Sequence, residues 1–304
     1  MGRFVPYGVE INGTLVGAIT EQSIDSGVEV STEVTAGATA PQYGEINKIQ
    51  SMGKFTTSDI PTILGILGSR GVVLSGAGFV LYQLDKEEAG TIKSTSVHRK
   101  VAIATGLVVP RTLTAQQGSR ATLACEVFAI YDGTNKPVTV TTDIALPTGI
   151  TDLVGFHLGE AIIAAQTITR KTALSIDFGI TVNPEYDDGE SYARSLHIAE
   201  VNPKLTVTTH DVAKFGDAAI PLDGVLGTHA NTSVVLRKRT RGTGAFATGE
   251  VHTKITAAGV VSLDNITRAS TNGPHEMGVN VTTLDDQTND MLVLAFDHDL
   301  DPEV

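Results

Sequence analysis

An internal repeat constrains the fold of this chain more than any other feature of the sequence. Ser23-Ile-Asp-Ser-Gly-Val-Glu-Val returns 152 residues later as Ser175-Ile-Asp-Phe-Gly-Ile-Thr-Val. The same spacing carries segment 23–60 onto segment 175–212 without a gap, with 11 identical positions. Two unrelated β-rich segments share alternating patterns, but not an ungapped match of this length. The repeat therefore predicts two related structural units.

The repeat also predicts where the chain divides. The length of 304 residues is twice the repeat distance, which gives two domains, 1–152 and 153–304, and leaves no room for a third. A weaker correspondence, with an offset of 153, joins Gly106-Leu-Val-Val to Gly259-Val-Val-Ser. The same offset joins a strand ending at Tyr131-Asp132 to one ending at Leu284-Asp285.

Apolar and polar residues alternate along most of the first unit, which is typical of half-buried β-strands. A kink or bulge is expected at Ser26-Gly27, and an Ala-, Gly- and Thr-rich loop at 35–44. The predicted strands are 9–20, 24–34, 46–56, 72–84, 97–109, 121–131 and 138–145.

One short helix is predicted in each unit. Thr57-Ser58-Asp59 offers a capping hydroxyl and an acid near the positive end of the helix dipole. Residues 60, 63, 64 and 67 then fall on one apolar face, and Gly68 ends the helix. A shorter helix is expected at 209–216. The predicted fold is mainly β (α+β): two tandem β-barrel or sandwich-like domains, each with one short helix.

Charge and composition exclude several classes of protein. The net charge of −12 argues against nucleic-acid binding by counterion release, which needs clustered Lys and Arg. Apolar runs, such as 161–165 and 291–296, have at most six residues, far fewer than the ~20 of a membrane span, and the first residues do not resemble a secretory signal. The single cysteine, Cys125, cannot form an intrachain disulfide, and its alternating surroundings indicate a buried apolar role.

Motifs for catalysis and for cofactor binding are absent from the sequence. There is no Gly-x-x-x-x-Gly-Lys-Ser/Thr loop and no His-Glu-x-x-His pair, and the eight histidines are scattered. We therefore expect no enzyme activity, no catalytic or cofactor-binding residues, no metal ligands and no cofactor.

The acids that the two units share are interpreted as structural. Asp25 and Asp177 are expected in turns or bulges, and Asp59 and Asp211 at helix starts. The segment 285–290 is acidic but lacks the spacing of a calcium loop, which favours a hairpin turn.

A basic run, Leu236-Arg-Lys-Arg-Thr-Arg241, is the one feature that suggests nucleic acid. Alternation along a strand would divide its charges between two faces. A salt-bridging contact between subunits is the preferred interpretation, and DNA contact is the alternative.

Two β-rich units without a chemical site suggest a building block. An open sheet edge invites aggregation unless another strand covers or continues it. In a closed ring of subunits, each open edge can pair with an edge of the neighbouring subunit. Because each unit can occupy one quasi-equivalent position, three chains can build a ring of six.

The sequence resembles the tail tube proteins of long-tailed bacteriophages. The likeness consists of paired strands within 9–34, the long loop 35–44, and a strand that runs through Phe55-Thr-Thr-Ser-Asp into a short helix. The second unit repeats the last feature as Val207-Thr-Thr-His-Asp. No residues remain for the additional immunoglobulin-like domain that some tail tube proteins carry.

This resemblance implies a structural virion protein that forms stacked rings around a conduit for DNA ejection. A duplicated chain implies trimeric, pseudo-sixfold rings. The implied partners are further copies of the chain, the tape measure protein and, transiently, DNA in the lumen, with tail terminator and tail-tip proteins at the ends and no membrane. The implied location is the virion tail, assembled in the host cytoplasm.

Two other functions are considered. A ring at the tail tip or baseplate would share the fold and differ in copy number. A carbohydrate-binding β-sandwich is disfavoured because sugar sites use exposed aromatic residues, and the chain has nine Phe, six Tyr and no Trp.

The tail tube hypothesis carries two further expectations. Part of the acidic charge should line the channel, where it repels phosphates over a Debye length of ~8–10 Å. The segments 32–48 and 184–200, interpreted as loops, should contact other rings or subunits.

Overall fold

A computed structural model describes residues 3–87, 91–93, 97–150, 155–211, 220–239, 245–264, 276–285 and 287–300. These residues form twenty-four β-strands and one α-helix. The prediction of a mainly β fold is therefore confirmed.

The elements of the first half of the chain are β1 (Arg3–Ile11), β2 (Thr14–Val16), β3 (Ile19–Asp25), β4 (Val28–Glu33), β5 (Tyr43–Ile49), β6 (Met52–Thr57), α1 (Ile60–Leu67), β7 (Val72–Val73), β8 (Phe79–Lys86), β9 (His98–Ile103), β10 (Gly106–Gln116), β11 (Thr122–Ala129) and β12 (Val138–Ile144).

The elements of the second half are β13 (Gly155–Ile163), β14 (Gln166–Thr167), β15 (Lys171–Asp177), β16 (Ile180–Tyr186), β17 (Ala193–Val201), β18 (Lys204–Thr209), β19 (Val225–Gly227), β20 (Ser233–Arg239), β21 (Gly249–Ala257), β22 (Gly259–Asp264), β23 (Met277–Thr283) and β24 (Leu292–Leu300).

The strands form three large sheets and two hairpins. One five-stranded sheet has the order β12-β9-β8-β1-β2, and the other has the order β24-β21-β20-β13-β14. A ten-stranded sheet has the order β19-β22-β23-β18-β15-β10-β11-β6-β3, with β7 also paired to β10. The hairpins β4–β5 and β16–β17 are separate two-stranded sheets. All pairings between these strands are antiparallel.

The same pairing order occurs in both halves of the sequence. β1, β3 and β6 begin 152 residues before β13, β15 and β18, the strands that take their places in the second half. Local details repeat as well: the Asp25 carboxylate accepts the Gly27 N–H at 3.0 Å, and the Asp177 carboxylate accepts the Gly179 N–H at 3.0 Å. The turn role predicted for both acids is confirmed.

The ten-stranded sheet crosses from one half of the chain to the other. β10 pairs with β15 from Thr112 opposite Asp177 to Gln116 opposite Ala173. This contact, which we call the internal joint, merges five strands from each half into one sheet. The repeat did not predict it, because the spacing of a repeat does not say which strand edges meet.

The helix α1 matches its predicted face and end. Ile60, Ile63, Leu64 and Leu67 are buried, and Gly68 follows with φ 59°. Asp59 lies at the helix start, as predicted, but as the N-cap residue and without a side-chain capping bond. The Thr57 hydroxyl accepts the Asp59 N–H at 3.0 Å, so the predicted capping hydroxyl serves the residue before the first helical turn. Most of the helix predicted at 209–216 lies outside the described residues.

Several predicted strands are wrong in their bounds because turns interrupt them. The predicted strand 9–20 is broken at Asn12-Gly13, where both residues have left-handed φ. The predicted strands 46–56, 72–84 and 97–109 also divide into two each. Segment 184–200, interpreted as a loop, lies mostly in β16 and β17.

The predicted offset of 153 holds for one of the two strands to which it was assigned. It relates β10 to β22, because Gly106 lies opposite Ala129 and Gly259 opposite Thr283. The partners of these glycines, Ala129 on β11 and Thr283 on β23, are 154 residues apart. The predicted offset of 153 is therefore one residue too small for β11 and β23.

Gly27 and Gly179 provide a test of the repeated turn. Both have positive φ, and an added Cβ would lie 1.7 Å from the Gln50 carbonyl oxygen and 2.0 Å from that of Asn202, respectively. We expect Gly27→Ala and Gly179→Ala each to lower the free energy of unfolding by about 2–4 kcal/mol, measured by denaturant titration.

Matched controls are Gly37→Ala and Gly189→Ala, since these glycines also have positive φ but no atom within 4 Å of an added Cβ. Their cost should be about 1 kcal/mol. Equal losses in all four variants would contradict the steric explanation.

Candidate functional surface

The two faces of the ten-stranded sheet differ in chemistry. One face is the core, where residues from successive strands, such as Phe55, Leu123, Leu113, Ile176 and Val207, are at most 2% exposed. The residues between them in sequence point the other way and are mostly exposed or half-buried. We call this second surface the open face.

Side chains that carry hydroxyl and amide groups dominate the open face. One row of directly opposed residues crosses six strands: Thr122, Thr114, Ser175, Thr206, Asn280 and Ser262. Within the row, the hydroxyls of Thr114 and Thr122 lie 3.0 Å apart, and Thr206 donates to Asn280 at 2.7 Å. The row is polar but carries no charge.

Among the described residues of the open face, acidic side chains outnumber basic ones. Glu21, Asp25, Asp177 and Asp264 are exposed there, whereas the exposed cations are Lys54 and Lys204. Surfaces that bind nucleic acids hold the phosphates with a patch of basic residues. The described part of the open face has no such patch.

One ion-pair cluster interrupts this pattern. Glu126 on β11 lies 3.0 Å from the Lys54 ammonium and 2.6 Å from the Arg111 guanidinium. Arg111 also donates to the Ile180 carbonyl oxygen across the internal joint. Partial burial would raise the pKa of Glu126, but hydrogen bonds and positive charge from Lys54 and Arg111 outweigh it and lower the pKa.

The corresponding positions of the second half replace this cluster with polar groups. Thr206 stands for Lys54 and Asn280 for Glu126 in the same strand order. Arg111 lies in a bulge of β10 that β22 lacks, and Asp264 is the charged residue of β22 closest to this position. Asn280 accepts from Thr206 and donates to Asp264. The two halves therefore share a backbone pattern while they differ in charge.

Both ends of the ten-stranded sheet expose strand edges. Among the described residues, β3 pairs with β6 alone. β22 pairs with β19 only at Gly259–Val261 on its outer side. Such edges have unpaired backbone donors and acceptors, which readily accept another strand.

The basic run lies on and beyond β20, and residues 240 and 241 are outside the described residues. The Arg237 and Arg239 guanidiniums lie 4.1 Å and 4.6 Å from the ring centre of Phe246. Arg237 is only 7% exposed. Lys238 lies between them in the strand, so alternation divides the charges as predicted. A partly buried stack on one ring does not form the exposed basic surface that DNA contact requires.

The described residues show no cluster of three or more His, Cys, Asp or Glu side chains that could hold a metal ion. Cys125 is buried, as predicted, and burial raises the pKa of its thiol. In the turn between β23 and β24, the Asp285 carboxylate accepts the Gln287 N–H at 2.8 Å. A carboxylate that accepts the N–H two residues later is typical of a turn, which agrees with the predicted hairpin turn.

No helix among the described residues is long and apolar enough to cross a membrane. In comparisons with known proteins, no family model matches the chain and no curated protein shows significant similarity to it.

The Glu126 cluster gives a pH-dependent prediction. Glu126→Gln should lower the free energy of unfolding by about 1–3 kcal/mol at pH 7, because charged hydrogen bonds to Lys54 and Arg111 are lost. The lowered pKa of Glu126 means that this stabilisation is complete above the ordinary pKa of 4.5. It disappears as pH falls through the pKa of the folded state.

Denaturant titrations of wild type and variant from pH 3 to pH 7 measure this difference, which should narrow at acidic pH. Glu200→Gln, on the exposed surface of β17, is the control and should change stability little at any pH. A constant difference for Glu126→Gln would contradict the role of its charge.

Proposed function

We propose that this protein is a structural subunit of a bacteriophage tail tube, in which two tandem tube domains per chain form three-chain, pseudo-sixfold rings. The observation that carries the proposal is the ten-stranded sheet. It repeats one strand order twice, is buried on one face and polar on the other, and has unpaired edges at both ends.

The size of a closed sheet supports three copies. Each chain contributes eight long strands, four on each side of the internal joint. Three copies supply twenty-four, which at ~4.8 Å spacing and ~40° tilt close a barrel about 48 Å across between backbones. The eight strands of a single copy would close a barrel about 16 Å across, and side chains fill the interior of a barrel of this size. The polar open face is not suited to such a packed interior.

The chemistry of the open face supports its role as the channel wall. Hydroxyl and amide groups remain hydrated, and the excess of acids repels phosphates at distances within ~8–10 Å at physiological salt. A conduit needs a surface of this kind because DNA must pass without being held.

The proposal assigns no enzyme activity and no cofactor to the protein. Its partners are further copies of the chain, the tape measure protein and passing DNA, with terminator and tip proteins at the ends of the tube. Its location is the virion tail.

Negative-stain electron microscopy of the purified protein tests the proposal. We expect rings with a central hole, stacked into tubes at high concentration, and a mass of three chains per ring by native mass spectrometry. A compact monomer at every concentration would contradict the proposal.

The wall chemistry predicts how assembled protein treats DNA. Wild-type tubes should not retain a short DNA duplex when they are sedimented at 0.15 M salt. Thr114→Lys combined with Thr206→Lys places two new cations per chain on the open face and should produce retention that falls steeply with salt.

The matched control is Thr139→Lys with Thr141→Lys, which adds the same charge to the exposed strand β12 in a different sheet. This variant should behave as wild type. Retention of DNA by wild-type tubes would contradict the assignment of the open face to the channel.

A further inference from the structure

A pocket of about 270 Å³ lies where the five-stranded sheet of β13 and β20 meets the turn between β10 and β11. The described residues that line it include Gly118, His157, Lys171, Arg237, Arg239 and Phe246. Both halves of the chain contribute to its wall, so the folding of a single chain completes the pocket.

Positive side chains outnumber negative ones in the described lining of this pocket. Lys171, Arg237 and Arg239 are cations, and His157 becomes one when it is protonated. Of the described lining residues, one is acidic, Glu160, and its side chain is exposed to solvent. In a chain with a net charge of −12, this balance is a local exception.

The repeat shows that the fold does not require these charges. β1 pairs with β8 in the first half as β13 pairs with β20 in the second, and Val5 lies opposite Leu84 where His157 lies opposite Arg237. Leu84 is 5% exposed and Arg237 is 7% exposed. Because an apolar pair fills this position of the sheet in the first half, packing alone does not account for the charged pair in the second.

Phe246 holds both arginines of the pocket in place. The guanidiniums of Arg237 and Arg239 stack on its ring. Stacking uses the face of a guanidinium, whereas a carboxylate or phosphate binds to the N–H groups along its edge. An added Cβ on Gly159 would lie 2.6 Å from the Arg237 Cγ, so glycine at this position leaves room for the arginine side chain. The two cations are therefore positioned by the folded chain itself.

Two polar atoms of the pocket residues are buried without a hydrogen-bond partner among the described residues. These atoms are the Nδ1 of His157 and the Nε of Arg239. Nearly all buried polar atoms of native proteins have a partner, which can be a bound ion. The Arg239 Nε–H is a donor, and the His157 Nδ1 is a donor when the imidazole is protonated. A bound oxyanion would accept hydrogen bonds from both.

The protonation of His157 responds to the charge in the pocket. Burial and the positive charge of Arg239 lower the pKa of His157, with a smaller contribution from Arg120, and they outweigh a hydrogen bond with the Ser119 backbone. An anion beside these groups favours the charged imidazole. Binding of the anion and protonation of His157 are therefore coupled.

We propose that this pocket binds an oxyanion, a phosphate or carboxylate group, which Arg237, Arg239 and His157 hold and Lys171 attracts. The site needs one folded chain and no ring, so it is independent of the proposed function. Two sources have this chemistry: free inorganic phosphate, and a carboxylate side chain of a second copy of the chain. The second source would be the salt-bridging contact between subunits that the basic run suggests.

Isothermal titration calorimetry with inorganic phosphate at constant ionic strength tests the site. The wild-type protein should show saturable binding of one phosphate per chain. His157→Val combined with Arg237→Leu gives the pocket the residue pair of the first half and should weaken binding at least tenfold, while thermal unfolding shows that the protein stays folded. Absence of saturable binding to the wild type, or equal binding to this variant, would overturn the proposal.

A single substitution with a matched control tests the role of Arg239. Arg239→Gln should weaken phosphate binding at least fivefold. The control is Arg99→Gln, which removes an arginine that lies 4.4 Å from the ring centre of Phe4 in the first half, outside the pocket. The control should bind phosphate as the wild type does. Equal losses in the two variants would indicate an effect of net charge alone and would count against the site.

Sulfate separates the protonation of His157 from that of the ligand, because its charge is constant between pH 5.5 and pH 7.5. The wild-type protein should bind sulfate at least threefold more tightly at pH 5.5 than at pH 7.5. His157→Gln should lose most of this difference. The same pH dependence in both proteins would contradict the role of His157.

Assembly of the protein distinguishes the two sources of the oxyanion. If a second copy supplies a carboxylate, phosphate should raise the protein concentration for half-maximal assembly at least threefold relative to chloride at equal ionic strength, measured by light scattering. If free phosphate is the ligand, this concentration should not change. A chain that binds phosphate and never assembles would contradict the proposed function and support the pocket as a site for the free ion.

Discussion

The backbone hydrogen bonds between β10 and β15 are the interaction on which the large sheet of this protein depends. They join five strands from each half of the chain and bury Leu113 and Ala115 together with Leu174 and Ile176. Buried N–H and C=O groups need partners, and each half supplies those that the other lacks. The two halves therefore share one sheet rather than two cores that touch.

The parts of the fold that follow from local sequence were predictable. Alternation identified most strands, and the spacing of Ile60, Ile63, Leu64 and Leu67 identified the helix. The repeat placed Asp25 and Asp177 in matching turns, where a carboxylate and a left-handed glycine stabilise the chain reversal. Each of these features depends on residues close together in the sequence.

Features that depend on long-range pairing were not predictable from the same patterns. The run 72–84 alternates well enough for one strand, yet Gly76 and Gly78 adopt left-handed φ and turn the chain between β7 and β8. The polar face of the sheet emerged only from register, since Thr114, Ser175 and Thr206 are far apart in sequence and adjacent in space. Phe246 beneath Arg237 and Arg239 carries no signal in the sequence either.

The internal joint has a kinetic consequence for a closed ring. Because the halves are covalently linked, this joint forms within one molecule at a high effective concentration. In a ring of three chains, alternate contacts are therefore complete when folding ends, and only the remaining contacts depend on diffusional encounter. In such a ring, the covalent link between the halves reduces the number of molecules that must associate from six to three, so that rings can nucleate at dilutions where separate single-domain subunits would stay dispersed.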